Sequence, residues 1–420
     1  MKETKNSIRI QVQQKAIDLW FFNHCFGYAL ISMGVGKSKI IADAINSFVD
    51  KHGVPEAHWP IVILVNSEFL RDDELPKELE KWGCKHKVKI ACYQTAYRWK
   101  NKEIGLLICD ELDYALSDSG GYAKVFEKNK FDFFLGMTGS LIPSKFEKSL
   151  SVFSVPPFMR YTLKNAQEDG VVNRVKMWIH EVPLTTEVYE GTPYGEISKY
   201  KWITKNILQA KHEISKLYAI KNELYHRGED YSHIEQSIFK EKNKKKYWEF
   251  SPANPNSRMS MMRNTKSLND YAKKLKENLL QSNKDAKVIV FAQLTKIVDE
   301  ITKHQYHGKK ADKSIIDRFN EGDVSELGVV KKVHRGINFQ GLNNAVVHSY
   351  TSSMTDALQA YVGRLVRLPI EELGHIHFLV SYYHNGDEKM YCQNAYWLGE
   401  IVGNVDLNHI EKQIVNLKLI

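Results

Sequence analysis

Short apolar runs alternate with stretches of helical spacing through the first part of the chain. Four of these runs have the length and composition of strands buried on both faces, and they lie at residues 61–65, 88–92, 106–109 and 131–135. Helical spacing occurs between them, at residues 39–51 and 70–82. Strands that alternate with helices predict a parallel sheet covered on both faces.

The same pattern returns near the end of the chain, with strand-like runs at residues 288–291, 327–330, 345–347 and 377–380. The intervening residues have helical periodicity at 200–225 and 267–280, interrupted by a loop rich in Pro, Asn and Ser at 251–257. We therefore predict an α/β protein with two domains, at 1–165 and 286–420. A linker is expected at 166–184 and a helical elaboration at 185–285.

Composition narrows the class of protein. The 420 residues are 43% hydrophobic, and the five cysteines are scattered without a Cys-x-x-Cys pair, which argues against a disulfide framework and a structural zinc site. No run of eighteen apolar residues occurs, and the first ten residues lack the apolar core of a signal peptide. We therefore expect a protein of the cytoplasm that has no membrane partner.

The positive charge is concentrated in the middle of the chain. Residues 196–285 contain 19 Lys and Arg against 11 Asp and Glu, within a net charge of +9 for the whole sequence. The densest cluster includes Lys244, Lys245 and Lys246, followed by two aromatic residues. Such a cluster predicts contact with a nucleic acid, and a solvated helix face accounts for it equally well.

Residues 32–38 read Ser-Met-Gly-Val-Gly-Lys-Ser, the strongest local signal for chemistry. The two glycines let backbone amides approach phosphate, while the lysine and the last serine can meet the β- and γ-phosphates and Mg²⁺. A good helix start follows, whose amino end attracts an anion. The predicted ATP-binding residues here are Gly34, Val35, Gly36, Lys37 and Ser38.

A second signal is the acidic end of the apolar run at 106–109. A carboxylate at the tip of a strand beside a phosphate loop can hold Mg²⁺, and a second carboxylate can orient the attacking water. We therefore predict that Asp110 binds the metal and that Glu111 positions the water.

The order of these motifs resembles that of the superfamily-two helicases and translocases, particularly the Swi/Snf-type and phage UvsW-type DNA motors. The resemblance extends from about residue 8 to residue 391, apart from the helical middle. It implies two tandem RecA-like domains that bind ATP and Mg²⁺ between them, with the basic helical elaboration at the start of the second. It also implies a phage or mobile-element origin, and hence the host cytoplasm.

Several residues of the first domain acquire roles from this resemblance. Gln13 matches the glutamine that reads the adenine edge. Ser67 and Thr95 match residues that touch the nucleic-acid backbone. Thr138 and Ser140 match the short Thr/Ser motif that couples hydrolysis to domain movement.

Two further motifs lie in the second domain. Residues 333–338 resemble the Gly-x-Asn motif, which places Gly336 and Asn338 near the nucleotide. Residues 363–367 match the Gly-Arg-x-x-Arg motif, whose guanidinium groups are those of Arg364 and Arg367. An arginine that reaches the γ-phosphate from a second domain neutralises charge that develops during phosphoryl transfer.

The expected function is ATP-driven movement on a nucleic acid. The expected partner is DNA, in duplex, branched or single-stranded form, with RNA also open; the oligomeric state is not determined, and a monomer is compatible with it. Three alternatives remain: an ATP-gated nucleic-acid clamp without unwinding, an RNA helicase, and a P-loop kinase acting on a small molecule.

Overall fold

In the computed structural model of the protein, two separate parallel sheets organise the chain. The structure describes residues 2–116, 121–139, 141, 143–188, 194–251, 254, 256–308, 310, 312, 314–330, 339–350, 361–404 and 410–416. None of the helices within these ranges is long and apolar enough to span a membrane.

The first sheet has six strands, all parallel, in the order β3-β2-β4-β5-β1-β6. The strands are β1 (Phe26–Ile31), β2 (Trp59–Val65), β3 (Lys89–Cys92), β4 (Glu103–Asp110), β5 (Lys130–Thr138) and β6 (Met159–Tyr161). The helices are α1 (Lys2–Phe22), α2 (Lys37–His52), α3 (Leu75–Lys81), α4 (Tyr93–Ala96), α5 (Leu112–Ala115), α6 (Lys124–Lys128), α7 (Pro143–Phe153) and α8 (Leu163–Glu168). A π-helical turn, Leu70–Glu74, leads directly into α3.

Both faces of this sheet are buried, as the continuous apolar runs predict. Along β2, Ile63 belongs to the hydrophobic cluster that contains Ile41 of α2. The next residue, Leu64, belongs to a different cluster, with Leu112 of α5 and Phe153 of α7. Because successive side chains of a strand point to opposite faces, this alternation places helices on both sides of the sheet.

The second sheet has seven parallel strands in the order β14-β7-β12-β11-β8-β10-β9, and β13 is antiparallel to β12. The strands are β7 (Arg174–Pro183), β8 (Val288–Ala292), β9 (Gln305–Tyr306), β10 (Glu326–Val330), β11 (Asn344–Val347), β12 (Leu373–Asn385), β13 (Glu388–Tyr391) and β14 (Glu411–Asn416). The helices are α9 (Glu196–Arg227), α10 (Ser232–Phe250), α11 (Arg258–Met262), α12 (Lys266–Ser282), α13 (Thr295–Ile301), α14 (Ser314–Glu321) and α15 (Gln393–Asn404).

The structure corrects the predicted linker at 166–184. Most of that stretch is the strand β7, which pairs along its whole length with β12 and lies inside the second sheet. Its buried Val175 and Met177 alternate with more exposed residues, so no continuous apolar run marks it in the sequence. The second α/β unit therefore begins with β7, ahead of the helical stretch.

The helical elaboration is also shorter than predicted. Leu268, Tyr271 and Leu275 of α12 pack in one buried cluster with Val288 and Val290 of β8, so α12 covers a face of the second sheet. The first part of α9 also packs on this unit, because the ring of Tyr200 lies 5.9 Å from that of Tyr383 on β12. Helix α9 is about 48 Å long, and its buried residues end at Ala210. Its distal half lies beyond the core and pairs with α10.

Three neighbouring strands of the first sheet place the predicted site residues at one edge of that sheet. In the order β4-β5-β1, Asp110 pairs with Met137, and Thr138 pairs with Leu30. All three strands are parallel, so their carboxyl ends meet at the same edge. The phosphate loop, the acidic pair and Thr138 therefore lie side by side.

Buried histidines are a feature of the second unit. His180 Nδ1 lies 2.8 Å from the Tyr271 hydroxyl, and its Nε2 lies 2.9 Å from His377 Nδ1. His348 Nε2 lies 2.8 Å from Asn269 Oδ1, and its Nδ1 has no hydrogen-bond partner among the described residues. Burial lowers the pKa of both His180 and His348 to about 4. These imidazoles are therefore neutral in the folded protein at pH 7.

We predict that the second unit loses stability as the pH falls from about 6.5 toward 4. The unfolded imidazole takes up a proton near pH 6.5, while the folded ring resists protonation down to about pH 4. Each such ring contributes about 3 kcal/mol at most to this loss. Urea unfolding at pH 7.5 and pH 5 measures it. His348→Gln should flatten the pH dependence, whereas substitution of the exposed His226 by Gln should leave it unchanged.

Candidate nucleotide-binding site

The phosphate loop connects β1 to α2. Gly34 and Gly36 have φ values of 82° and 99°, in the left-handed region where a side chain is disfavoured. Helix α2 begins at Lys37, and no side chain caps its first turn. Its first amide groups are therefore available to an anion, as in other phosphate loops.

Gln13 supports this loop from α1. Its buried side chain donates from Nε2 to the carbonyl oxygen of Val35 at 2.7 Å. A Cβ atom on Gly36 would lie 2.7 Å from the same Nε2, so the glutamine packs directly against the loop backbone. The structure therefore gives Gln13 a contact with the loop, and its contact with adenine stays a prediction.

The acidic pair faces the loop lysine. Glu111 Oε1 lies 3.7 Å from Lys37 Nζ. Glu111 has a φ of 54°, a strained value for a residue with a side chain, and such strain is concentrated at functional sites. The backbone N–H of Glu111 donates to Asp110 Oδ1 at 3.1 Å. The structure thus brings Lys37, Asp110 and Glu111 together.

Asp110 is half-buried at the carboxyl end of β4. Burial, and next the neighbouring charge of Glu111, raise its pKa to about 7, while Lys37 acts in the opposite direction. A buried carboxylate of this kind is stabilised by a cation. Its surroundings therefore fit the predicted metal.

The donor set suits Mg²⁺ in particular. Ser38 and Asp110 offer oxygen atoms, and the described residues contain no cluster of three or more His, Cys, Asp or Glu that would form an all-protein metal cage. Magnesium is commonly held by one or two carboxylates together with substrate phosphates and water. When bound, it would neutralise phosphate charge during hydrolysis.

Thr138 contacts a carboxylate that the sequence reasoning did not select. Its Oγ1 donates to Asp113 Oδ1 at 2.8 Å, and Asp113 is only 2% exposed. Lys145 Nζ, on α7, lies 3.5 Å from the other carboxylate oxygen. Asp113 therefore links the ends of β4 and β5. The spacing Asp-Glu-Leu-Asp was the available signal. Ser140 lies outside the described residues.

The arginine motif of the second unit packs against the loop. A Cβ atom on Gly363 would lie 2.1 Å from Met33 Sδ. A Cβ atom on Gly34 would lie 2.8 Å from Val172 Cγ1 and 3.2 Å from the carbonyl oxygen of Val366. Residues 363–366 therefore lie in direct contact with the loop, and a side chain at either glycine would require Met33 or Val172 to move.

Arg364 is buried beside this contact. It is 4% exposed, and its guanidinium lies 5.2 Å from the ring centroid of Phe339. Burial, and next the charge of Arg367, lower its pKa to about 9, whereas the carboxylates of Glu74 and Glu111 oppose that change. Arg364 is therefore positively charged at neutral pH and within electrostatic reach of acidic groups of the first unit.

Glu74 is a second residue that the sequence reasoning missed. It ends the π-helical turn, and its Oε2 atom is buried without a hydrogen-bond partner in the described structure. Burial raises its pKa to about 7, while Arg367 and Arg364 act in the opposite direction. No sequence signal marked it, because a π-helical turn looks like ordinary helical spacing in the sequence. Arg367 itself is exposed.

The predicted nucleic-acid contacts follow the carboxyl ends of β2 and β3. Ser67 Oγ accepts a hydrogen bond from Leu70 N at 3.3 Å, where the π-helical turn begins. Thr95 is exposed on α4. Their contact with a nucleic acid stays a prediction, as do the roles of Gly336 and Asn338, which fall outside the described residues.

The lysine cluster is on α10, at the surface. Lys244 lies 3.4 Å from Glu241 and Lys245 lies 3.3 Å from Glu249, both on the same helix. Exposed pairs of this kind are weak. These lysines can therefore exchange their carboxylate partner for a phosphate group of a nucleic acid.

Part of the second unit is similar to a known protein family. Residues 270–368 match the helicase conserved C-terminal domain. This segment begins inside α12 and includes the arginine motif. Among curated proteins, none matches the chain.

Solved structures extend the similarity to both units. S. cerevisiae Dbp5 bound to RNA and ADP BeF3 is 14% identical, with a TM-score of 0.53 over 96% of this chain and 89% of Dbp5. A variant of Dbp5 with the same ligands gives a TM-score of 0.55 at 14% identity, over 97% and 89% of the two chains. The Pyrococcus furiosus Hef helicase domain is 15% identical, with a TM-score of 0.47 over 93% of this chain and 97% of that domain. The Dbp5 likeness confirms the predicted fold of two tandem RecA-like domains.

We predict that Lys37→Ala and Glu111→Gln each reduce ATP turnover by roughly 10²- to 10³-fold, because each removes a charge aimed at the phosphates or at the water. Steady-state phosphate release measures the effect. Lys39→Ala is the control, since Lys39 follows Lys37 on the same helix and pairs with Asp43. Unchanged thermal unfolding of all three variants is expected, and a Glu111→Gln protein with normal turnover would contradict the assignment.

A second prediction tests the contact between the units. Gly363→Ala should lower ATP turnover, because its methyl group would collide with Met33 Sδ. Met33→Ala alone should have little effect, and the double variant should recover most of the activity, since the collision is then absent. A double variant as impaired as Gly363→Ala would show that the two residues are not in contact.

Proposed function

We propose that the protein is an ATP-dependent nucleic-acid motor, a DNA helicase or duplex DNA translocase. The observation that carries this proposal is the close packing of the phosphate loop against residues 363–366, which brings a buried arginine of the second unit to the nucleotide site of the first. The helicase match over residues 270–368 supports it, because Arg364 and Arg367 lie inside the matched segment.

Hydrolysis in this arrangement depends on positioning and charge. The amide groups at the start of α2 and Lys37 hold the phosphates. Glu111 accepts a hydrogen bond from the attacking water, and Arg364 offsets the charge that develops on the transferred phosphoryl group. ADP and phosphate are the products. The chain needs no covalent intermediate for this reaction.

The two units would move relative to each other because both hold the same ATP molecule. Loss of the γ-phosphate removes the group that Lys37 and Arg364 hold in common, so the units can separate and close again around the next ATP. The Thr138–Asp113 hydrogen bond joins the site to the end of β5, and through it hydrolysis would be coupled to domain movement. Nucleic acid would lie across both units, near Ser67 and Thr95.

DNA is the proposed track, on the resemblance to Swi/Snf-type and UvsW-type motors and a phage or mobile-element origin. An RNA helicase is the second candidate, because the Dbp5 structures contain RNA. The packing of two units around one site disfavours a small-molecule kinase, and a clamp without movement is compatible with the same geometry.

The deciding experiment is ATP turnover with single-stranded DNA, duplex DNA, branched DNA and RNA, beside a reaction without polymer. Stimulation by DNA with displacement of a labelled strand, or of a bound roadblock, supports a DNA motor. Stimulation by RNA alone supports the second candidate. A rate of ATP turnover that none of these polymers changes contradicts both candidates.

We predict that Lys244, Lys245 and Lys246 contribute to the grip on the nucleic acid. Replacing all three by Glu should make the plot of log K against log salt shallower, by roughly 0.9 for each duplex phosphate that the protein ceases to neutralise. The exposed lysines Lys273 and Lys284, replaced by Glu, serve as the control. A salt titration of nucleic-acid binding measures the slope. If the triple variant has the same slope as the unchanged protein, the three lysines do not contact the nucleic acid.

A further inference from the structure

A cavity lies at the amino end of the first sheet, in a gap between two strands. Strand β2 pairs with β4 from Trp59 onward, but it pairs with β3 only from Val62 onward. The first three residues of β2 therefore have a strand on one side only. A cavity of about 390 Å³ fills the other side.

The cavity has a positive and partly apolar wall. Nine residues line it: Val54, His58, Trp59, Pro60, Ile61, His86, Lys87, Val88 and Lys89. None of these nine described residues is acidic. Its volume is within the range of small-ligand sites, which extends from about 300 to 1,000 Å³.

Two lysines, Lys89 of the cavity wall and the neighbouring Lys102, pack on an aromatic ring. Lys89 Nζ lies 3.8 Å from the ring centroid of Trp59, and Lys102 Nζ lies 5.2 Å from the same ring. The ring of Trp99 meets that of Trp59 edge-on, with 4.5 Å between centroids. An ammonium group ordered in this way loses less entropy when it binds an anion.

The wall formed by residues 54–60 is fixed as well. A Cβ atom on Gly105 of β4 would lie 2.2 Å from Pro55 Cβ and 2.7 Å from the carbonyl oxygen of Pro60. The glycine therefore allows this segment to pack directly on the sheet. Four of the nine lining residues belong to β2 and β3, and the others lie in the segments that lead into these two strands.

His86 has an unmet hydrogen-bonding group beside the cavity. Its Nε2 atom is buried and has no hydrogen-bond partner in the described structure, although the ring lines the cavity. A buried polar atom without a partner is rare and calls for an explanation. That atom is closed to water as the ring stands, so the ring must turn before a ligand in the cavity can supply the partner.

This cavity is separate from the nucleotide site. Strand β2 has seven residues, so its two ends are roughly 20 Å apart. The phosphate loop, the acidic pair, Ser67 and Thr95 all follow the carboxyl ends of strands. The cavity lies at the opposite edge of the sheet.

We propose that this cavity binds a nucleotide unit, either a free mononucleotide or one residue of a single-stranded nucleic acid. Lys87 and Lys89 would contact the phosphate, and Val54, Pro60 and Val88 would form the apolar wall beside the base. An acidic peptide would satisfy the cations and leave that wall uncovered. The ligand is bound and not hydrolysed, so this site does not depend on the motor activity.

Hydrogen–deuterium exchange of the full chain tests the location. The probes are AMP, the oligonucleotide dT12 and a peptide of ten glutamates, each at a range of concentrations. We expect residues 54–61 and 85–90 to exchange more slowly with dT12 or AMP. Protection by AMP identifies a mononucleotide site, and protection by dT12 alone identifies a site for a strand. Protection by the glutamate peptide only, or by no probe, overturns the proposal.

The matched variants are Lys87→Glu/Lys89→Glu and, as control, Lys273→Glu/Lys284→Glu, which make the same change in net charge. The first should abolish the protection and weaken binding of the protecting probe by roughly tenfold, with a salt slope shallower by roughly 0.7 for each single-strand phosphate that is no longer neutralised. ATP turnover without polymer should be unchanged in both, which separates failure of this proposal from failure of the motor. Protection that persists in Lys87→Glu/Lys89→Glu would overturn the assignment.

Discussion

The close approach of residues 33–34 to residues 363–366 is the constraint on which the rest of the site depends. A Cβ atom on Gly363 would lie 2.1 Å from Met33 Sδ, and one on Gly34 would lie 2.8 Å from Val172 Cγ1 and 3.2 Å from the Val366 carbonyl oxygen. These residues come from units whose sheets are built from separate parts of the chain. The contact therefore sets where Arg364 lies relative to Lys37 and Glu111.

Charge at this junction is balanced only in part. Burial raises the pKa of both Asp110 and Glu74 to about 7 and lowers that of Arg364 to about 9. Buried charges are costly unless they are paired with good geometry. A triphosphate with its magnesium ion would supply opposite charges to both sets. The site is thus more favourable with its ligand, and ligand exchange can alter how the two units are held.

The sequence predicted the elements that have strong local signals. All eight strand-like runs are strands, because buried parallel strands give continuous apolar runs, and the glycines of the loop have the left-handed φ values that the motif requires. Strand β7 was missed because its burial alternates. Glu74 and the packing of Gly363 on Met33 were invisible, since they depend on how distant segments meet. The division of the helical middle failed because helical periodicity alone does not show that α12 packs on the sheet, although the strand β8 follows it directly in the chain.

The central claim is that one triphosphate is held from both units. A structure of the protein with ADP–BeF3 and single-stranded DNA tests it most directly. The account predicts that the BeF3 group lies within about 4 Å of both the Lys37 ammonium and the guanidinium of Arg364 or Arg367. A complex in which Lys37 contacts BeF3 while both arginines point into solvent would contradict it.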